Sequence, residues 1–281
     1  MKEYLTALNY ILTNGKLKKN RTGIDTLSVF GYQMRFDLSA GFPAVTTKKL
    51  AWRALVSELL WMLEGSSDER RLCEILHGTS DTNKTTIWTA NANAEYWIDQ
   101  AAYPGDCGRI YGKQMRDWRN SRRESVDQLA NLISGIQKDP HSRRHILLNY
   151  NPGEIDQMCL PPCHAMSQFD VTDGKLSCQL YQRSVDSFLG LAFNIASYSL
   201  LTHMIAQVCE LSVGEFIHTS GDLHLYVNHI NQTLEQLSRT PYPLPKLWLN
   251  PSIKNIENFT MNDIKLLDYQ SHPSIQADMA V

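Results

Sequence analysis

A cysteine follows two prolines in the segment Leu160-Pro161-Pro162-Cys163-His164, immediately before a stretch with strand-like composition. A rigid Pro-Pro turn there would present the Cys163 thiol at the start of a strand. If cationic groups favour the thiolate, such a thiol is a nucleophile. The commoner role of an isolated cysteine is a buried structural one, and that alternative stands beside the first. We expect structural roles for the remaining cysteines, Cys73, Cys159, Cys178 and Cys209 in apolar or strand-like patterns and Cys107 in a polar loop.

Arginines form a second group of candidate residues: Arg21, the pair Arg143-Arg144, and Arg183. The guanidinium fork suits bidentate binding of phosphate, and several forks at one site would hold a phosphomonoester. For any one of them taken alone, a solvated surface position or an ion pair is the commoner explanation.

Acidic and polar residues complete the candidates. Glu58 lies in an apolar helical stretch, where a carboxyl group could have a raised pKa and transfer protons, or could simply point away from the apolar face. The polar breaks between apolar segments, where functional side chains often occur, hold Asp186, Asn194, Asp222, His224 and Tyr226. Each of these could equally be a cap or turn residue.

The elements that must position these residues follow from periodicity. The N-terminal segment, residues 1–16, predicts an amphipathic helix that ends near Gly15, and the alternation from Leu27 to Phe36 predicts a strand with a bulge or bend at Gly31. Residues 51–65 have helical spacing. Ser125-x-x-Gln128 predicts the capped start of another helix, which ends before Pro140.

The second half of the chain begins with strand-like segments. Residues 145–150, 164–171 and 175–182 predict strands, the last two joined by a tight turn at Asp173-Gly174. One helix is predicted from after Asn194 to about Cys209, and another from near His224 to about Arg239. Because strands and helices mix without regular alternation, the fold class is α+β, and the absence of a linker or repeat predicts one domain over residues 1–281.

Composition excludes several classes of protein. The chain has 281 residues, 43% of them hydrophobic, and a formal net charge of -2. That charge argues against a general nucleic-acid coat, which needs a basic face, and an RNA-binding protein without enzymatic activity is therefore a remote alternative. The sequence has no signal-peptide pattern, no membrane-length apolar run and no Cys-x-x-Cys zinc motif, so we expect a soluble, cytoplasmic protein with reduced thiols and no metal.

Taken together, these residues resemble the thymidylate synthase family over nearly the whole chain. The matching segments include Arg21-Thr22-Gly23, Glu58-Leu59-Leu60-Trp61, Ile110-Tyr111-Gly112-Lys113-Gln114, Ser142-Arg143-Arg144, Leu160-Pro161-Pro162-Cys163-His164, Gln179-Leu180-Tyr181-Gln182-Arg183-Ser184, Phe193-Asn194-Ile195-Ala196-Ser197-Tyr198, His224-Leu225-Tyr226 and Met279-Ala280-Val281. A chance match of that length and order is negligible. The resemblance implies a homodimer with a mixed β-sheet packed by helices, the sheet forming the back of the dimer interface.

The resemblance also implies a reaction, the methylation of dUMP at C5 by 5,10-methylenetetrahydrofolate, which yields dTMP and dihydrofolate. Cys163 would add to uracil C6, and Arg143 and Arg144 would reach the phosphate in the other subunit's site. The implied catalytic residues are Cys163, Glu58, Tyr111, Arg183, Asp186 and Asn194. The implied dUMP ligands are Arg21, Arg143, Arg144, Gln182, Arg183, Ser184, Asn194, His224 and Tyr226. The implied folate ligands are Ile87, Trp88, Asp186, Leu189, Gly190, Phe193 and Val281.

The sequence departs from the family's usual pattern at several positions. Arg109 and Met115 stand where proline and tryptophan are usual, Asp170 takes a position that is usually aromatic, and Ala192 replaces a proline. None of these changes removes a proposed catalytic group. The nearest rival within the resemblance is a dUMP hydroxymethylase, in which water rather than hydride captures the exocyclic methylene. Trp88 and the segment 279–281 favour the synthase, since both should shield that methylene from water.

Overall fold

The long strands of the chain lie side by side in one sheet in the computed structural model, which describes residues 1–20 and 22–278. The strands of the described residues are β1 (Lys16–Lys18), β2 (Thr26–Asp37), β3 (Trp118–Arg119), β4 (Ser125–Val126), β5 (Ile146–Leu148), β6 (His164–Thr172), β7 (Lys175–Asp186), β8 (Ser212–Tyr226), β9 (Lys246–Leu249) and β10 (Ile264–Leu267). Six of them form a sheet in the order β1-β2-β8-β7-β6-β5. The β7–β8 pair is parallel and the other pairs are antiparallel, so the sheet is mixed.

Helices pack on this sheet and against one another. They are α1 (Lys2–Asn14), α2 (Trp52–Leu63), α3 (Glu69–His77), α4 (Thr89–Ala92), α5 (Glu95–Ile98), α6 (Tyr111–Arg116), α7 (Gln128–Lys138), α8 (Leu191–Val208) and α9 (Ile230–Ser238) within the described ranges. Helix α8 is apolar on nearly every side because it lies between the sheet and α2. None of the described helices is long and apolar enough to cross a bilayer.

One hydrophobic core joins the sheet to the helices. Along β7 the side chains alternate, with Leu176, Cys178 and Leu180 fully buried and Gln179 and Tyr181 exposed. This alternation follows from the period of two in a strand, which sends successive side chains to opposite faces. The α+β class and the mixed sheet are therefore confirmed.

Most predicted elements are confirmed with small changes in their bounds. Helix α1 ends just before Gly15. The turn between β6 and β7 places Asp173 and Gly174 at φ 52° and 69°, the conformation that an Asp-Gly hairpin turn requires. Gly31 has φ 80°, and the pairing of β2 with β8 keeps the same register before and after it, so this position has an unusual backbone conformation but no bulge.

Two predictions about helix starts are wrong. Ser125 does not cap α7, because it pairs with Arg119 in a short β-ribbon, and the Asp127 side chain instead accepts the Ala130 N–H at 2.9 Å. No helix begins near His224: residues 212–226 form β8, the longest strand, and α9 starts only at Ile230. The buried Leu223 and Leu225 alternate with half-buried neighbours, which is the strand period.

Helix α8 also begins earlier than predicted, at Leu191 rather than after Asn194. The Asn194 N–H donates to the Gly190 carbonyl at 2.9 Å, so Asn194 lies in the first turn of the helix. This shift matters for the site, because a side chain in the first turn of α8 faces the ends of the neighbouring strands.

Candidate active site

The backbone of Cys163 is fixed from two sides. Its N–H donates to the Tyr111 hydroxyl oxygen at 2.8 Å, and its carbonyl accepts the Arg183 N–H at 2.9 Å. The first contact ties the Pro-Pro turn to α6, and the second ties it to β7, since β6 and β7 pair with His164 opposite Gln182. Cys163 is half-buried, at the start of a strand as the sequence predicted.

Arg183 holds its guanidinium against the same turn. Its Nε donates to the Pro162 carbonyl at 3.0 Å and its terminal nitrogen donates to the Pro161 carbonyl at 2.6 Å. The group also lies 6.0 Å from the centre of the Tyr150 ring. A cation is thus anchored beside the turn that carries Cys163, which is the arrangement that favours a thiolate.

The other cysteines are poorer nucleophile candidates. Cys73, Cys107, Cys159 and Cys178 are buried, and burial raises the pKa of the Cys178 thiol to about 12. Cys209 is half-buried like Cys163, yet burial raises the pKa of its thiol to about 11. Cys107 lies in a loop, as predicted, but its side chain is fully buried. The raised pKa values keep the Cys178 and Cys209 thiols protonated, and burial shields Cys73, Cys107 and Cys159 from solvent.

Glu58 reaches the site from the middle of α2. Trp88 donates its indole N–H to the Glu58 carboxyl at 2.7 Å, and only 6% of Trp88 is exposed. Burial raises the pKa of Glu58 to about 7, and the Trp88 hydrogen bond opposes that rise only in part. Near neutral pH, Glu58 therefore exists in both protonation states and can both give and take a proton.

Tyr111, the first residue of α6, connects Glu58 with Cys163. Its ring lies 5.8 Å from Trp88 in an edge-on contact, and its hydroxyl oxygen accepts the Cys163 N–H. Burial, helped by the charge that Cys163 can carry, raises the pKa of Tyr111 well above its ordinary value. The phenol thus keeps its proton and remains a donor at the site.

Asn194 and Gln182 meet at the start of α8. Gln182 is 3% exposed and its amide nitrogen donates to the Asn194 Oδ1 at 3.0 Å. Asp186, at the end of β7, accepts the N–H groups of Phe188 at 2.9 Å and Leu189 at 3.3 Å, which closes the turn into α8. Gly190 stands in this turn with the Asp186 carbonyl 3.3 Å from where a Cβ would be, so a side chain would crowd the turn.

Strand β8 brings a further polar group beside β7. Ser184 lies opposite Asp222 and Asp186 opposite His224 in the parallel register. His224 Nδ1 lies 3.2 Å from the Asp222 carboxylate, and the rings of His224 and Tyr226 are perpendicular at 5.4 Å. The hydrogen bond with His224 is the main reason that the pKa of Asp222 falls well below its ordinary value. Hence Asp222 is an anion that holds the His224 ring.

Several other predicted site residues have exposed or half-buried side chains within one subunit. Arg143 and Arg144 are exposed before β5, and the Arg143 carbonyl accepts from Gln168 at 3.4 Å. Gln168 lies five residues beyond Cys163, or about 16 Å at about 3.3 Å per residue. Ile87 is 55% exposed and Phe193 is half-buried. Arg21 and Val281 lie outside the described residues.

A family model, described as thymidylate synthase, matches residues 2–281 of this chain. The chain belongs to the thymidylate synthase family. Membership makes it an enzyme and supports, in general terms, a methyltransferase that forms dTMP; the family uses methylenetetrahydrofolate as its cosubstrate. Among the described residues, no group of three or more His, Cys, Asp or Glu side chains could hold a metal ion.

Several residues beside the site in this thymidylate synthase family member escaped the sequence analysis. Lys48 is 8% exposed, donates to the Phe188 carbonyl, and lies over the Phe188 ring. Burial lowers the pKa of Lys48 to about 8, and Asp186 opposes the fall. His164 is also buried, which lowers the pKa of its ring to about 4. The signal that could have revealed Lys48 was the lysine pair Lys48-Lys49 between the apolar segment 42–45 and Leu50.

The departures from the usual thymidylate synthase pattern lie around the site rather than in it. The Arg109 guanidinium forms ion pairs with Glu154 at 2.8 Å and with Asp117 at 3.0 Å, and Asp117 is the residue that follows α6. Met115 is buried, and Ala192 is buried in the first turn of α8. Asp170 is exposed on β6. None of the four replaces a residue of the Cys163 cluster.

Proposed function

We propose that this protein converts dUMP and 5,10-methylenetetrahydrofolate into dTMP and dihydrofolate through a covalent bond between Cys163 and uracil C6. The observation that carries the proposal is the fixed Pro-Pro-Cys turn, with Tyr111 on its N–H and the Arg183 guanidinium on its two proline carbonyls. The match to the family over residues 2–281 supports the same reaction.

In this mechanism the Cys163 thiolate adds to C6 of the uracil ring, and the electron pair of the C5–C6 double bond makes C5 nucleophilic. C5 then attacks the methylene carbon of the folate as one of the C–N bonds of that carbon breaks. After C5 loses its proton, the remaining C–N bond breaks, which gives tetrahydrofolate and an exocyclic methylene on C5. Tetrahydrofolate donates hydride to this methylene, which forms the methyl group and dihydrofolate, and the Cys163–C6 bond breaks to release dTMP. Arg183 supports the thiolate and binds the dUMP phosphate, together with Arg21. Covalent addition is needed because C5 of an unmodified uracil is a poor nucleophile.

Protons move through Glu58 and Tyr111. A carboxyl group whose pKa is about 7 can protonate the pyrimidine O4 as charge develops there and can later take the proton back. The C5 proton passes to a water molecule, and the protonated Tyr111 phenol, next to Cys163, hydrogen-bonds and positions that water. Trp88 holds the Glu58 carboxyl in place through its indole N–H.

Recognition follows from the polar groups on β7, β8 and α8. Asn194, supported by Gln182, reads the uracil ring, His224 and Tyr226 bind the ribose 3'-hydroxyl, and Ser184 adds a polar contact. The folate stacks over the pyrimidine, with Asp186 hydrogen-bonded to the pterin. Its remaining ligands in this proposal are Ile87, Trp88, Leu189, Gly190, Phe193 and Val281.

The proposed dimer uses the sheet face that the helices leave uncovered. Tyr181 is 37% exposed and Ile146 is 39% exposed on that face, and Leu148 lies near them on β5. A second copy across this face would bury these apolar side chains. The exposed Arg143 and Arg144 precede β5, and Gln168, which contacts the Arg143 carbonyl, lies about 16 Å along β6 from Cys163. In the proposed dimer these two arginines reach the partner's phosphate.

We expect two inactive variants to restore activity in each other. Arg143→Ala lacks the guanidinium that binds the dUMP phosphate in the partner's site, and Cys163→Ala lacks the nucleophile of its own site. In a mixed dimer one site receives both intact groups, so random exchange should restore about a quarter of the wild-type activity. The measurement is dTMP formation after mixing, with the two unmixed variants as controls. A fully active monomer in sedimentation would contradict the shared site.

Analysis of the product tests the function itself. Enzyme, dUMP and methylenetetrahydrofolate are incubated, and the mass of the nucleotide product is measured by mass spectrometry. A methyl group on the pyrimidine supports the synthase, whereas hydroxymethyl-dUMP as the main product would replace it with the hydroxymethylase. The buried Trp88 favours the synthase, since a closed wall beside Glu58 keeps water from the methylene.

A further inference from the structure

An asparagine side chain does not by itself choose between uracil and cytosine. Uracil presents an N3–H donor and an O4 acceptor, and cytosine presents an N3 acceptor and an amino donor. A carboxamide has a donor nitrogen and an acceptor oxygen. A 180° rotation that exchanges the two atoms changes an amide that is complementary to uracil into one that is complementary to cytosine. If Asn194 reads the base, as proposed above, another group must fix which way its amide faces.

A buried chain of hydrogen bonds leads from β8 to Asn194. Ser220 Oγ lies 3.3 Å from His218 Nδ1, and His218 Nε2 lies 2.8 Å from Gln182 Oε1. The Gln182 amide nitrogen then donates to Asn194 Oδ1 at 3.0 Å. His218 is 0% exposed, Ser220 1% and Gln182 3%, so water does not compete for these bonds.

Each link in this chain sets the direction of the next. Burial, together with the nearby His164, lowers the pKa of His218 to about 3, so its ring is neutral and carries one proton. With that proton on Nε2, His218 donates to Gln182 Oε1 and its Nδ1 accepts the Ser220 hydroxyl proton. Gln182 must then turn its nitrogen toward Asn194, and Asn194 must receive it with Oδ1.

The opposite direction is also chemically complete. With the proton on Nδ1, His218 would accept from the Gln182 nitrogen, Gln182 would present its oxygen, and Asn194 would turn its nitrogen toward Gln182. Asn194 would then face the base with its ends exchanged, the arrangement that suits cytosine. Because a donor facing a donor in a buried site is costly, intermediate arrangements are disfavoured.

We propose that His218, held by Ser220, is a positioning residue that fixes the amide orientation of Asn194 and makes the site select a uracil ring over a cytosine ring. His218 acts through Gln182 and does not touch the substrate. The proposal rests on the proposed function, since Asn194 must be the residue that reads the base.

The test compares binding of dUMP and dCMP by calorimetry, without folate. His218→Phe keeps a buried aromatic ring but removes the donor to Gln182, so the preference for dUMP should fall about tenfold, the value of one lost net hydrogen bond. Ser220→Ala should lower it less, and His218→Gln, which restores a donor amide, should recover most of it. Ser199→Ala is the matched control, because this buried hydroxyl on α8 donates to the Ile195 carbonyl and does not contact the chain of bonds.

A folded His218→Phe protein with the wild-type dUMP preference would overturn the inference. If that variant does not fold, two-bond proton–nitrogen NMR of the wild-type histidines decides: a proton on Nε2 of His218 supports it, and a proton on Nδ1 overturns it. A wild-type protein that binds neither nucleotide would instead overturn the proposed function, so the two failures are distinguishable.

Discussion

Changing Cys163 to serine is expected to leave a folded protein that binds dUMP but forms dTMP slower by about three orders of magnitude or more, as loss of a catalytic nucleophile does in other enzymes. A neutral hydroxyl at this position is a far weaker nucleophile than a thiolate. The fold should tolerate the change, because the contacts that fix residue 163 to Tyr111 and Arg183 use its backbone N–H and carbonyl. The dUMP affinity and the rate of dTMP formation are measured side by side.

Cys209→Ser is the matched control for this experiment. Cys209 is also half-buried, but its thiol lies 3.9 Å from the Ile133 carbonyl at the far end of α8. The same sulfur-to-oxygen exchange there should leave dTMP formation near the wild-type rate. Substantial turnover by Cys163→Ser, with wild-type contamination excluded by mass, would show that Cys163 is not the nucleophile.

Changing Glu58 to glutamine is expected to slow dTMP formation by about a hundredfold or more, the usual contribution of a general acid–base group. Glutamine fills nearly the same space and its oxygen can still accept the Trp88 N–H, so the shape of the site is kept. What is lost is the exchangeable proton of a group whose pKa is about 7. The rate of dTMP formation as a function of pH measures this loss.

Relative to wild type, Glu58→Gln should be more stable at pH 8 than at pH 5. The pKa of Glu58 is 4.5 ordinarily and about 7 in the folded protein, so between these values the folded state binds more protons than the unfolded state. The Glu58 contribution to the free energy of unfolding therefore falls as pH rises from about 4.5 to 7, by about 1–3 kcal/mol after allowance for the partial exposure of the residue. Glu58→Gln removes that fall.

The comparison is made by denaturant unfolding of wild type and Glu58→Gln at pH 5 and pH 8. Taking the difference between the two proteins cancels the opposite contribution of buried histidines such as His164, whose lowered pKa costs stability in acid. Glu64→Gln, exposed just after the same helix, is the control. It weakens a solvent-exposed ion pair with Arg71, so it should lower the free energy of unfolding only slightly and by about the same amount at pH 5 and pH 8. If the difference in free energy of unfolding between the two proteins is the same at pH 5 and pH 8, burial does not penalise the charged form of Glu58.

The local elements were largely decided by the sequence. Periodicity located α1, β2 and α2 and the hairpin at Asp173-Gly174, because each depends on contacts or backbone preferences within a few residues. The order of motifs along the chain also sufficed to identify the family. These features need no knowledge of which segments meet in space.

The tertiary structure alone decided the long strand β8 and the groups that depend on it. A strand makes its hydrogen bonds to other segments, and those of β8 go to β2 and to β7, which are remote in sequence. His224 and Tyr226 therefore lie on a strand beside Asp186 and Ser184, although the local pattern around them was interpreted as a helix.

The protonation states of the buried groups could not be predicted from the sequence either. That Glu58 has a pKa of about 7 and His218 one of about 3 depends on how completely each is buried and on which partner faces it, and both follow from the packing of α2, β7, β8 and α8. The sequence by itself determined which chemical groups this protein carries and the order of the family's motifs along the chain. Only the folded chain determined their distances, their solvent exposure and their proton affinities, because these arise from contacts between segments far apart in the sequence.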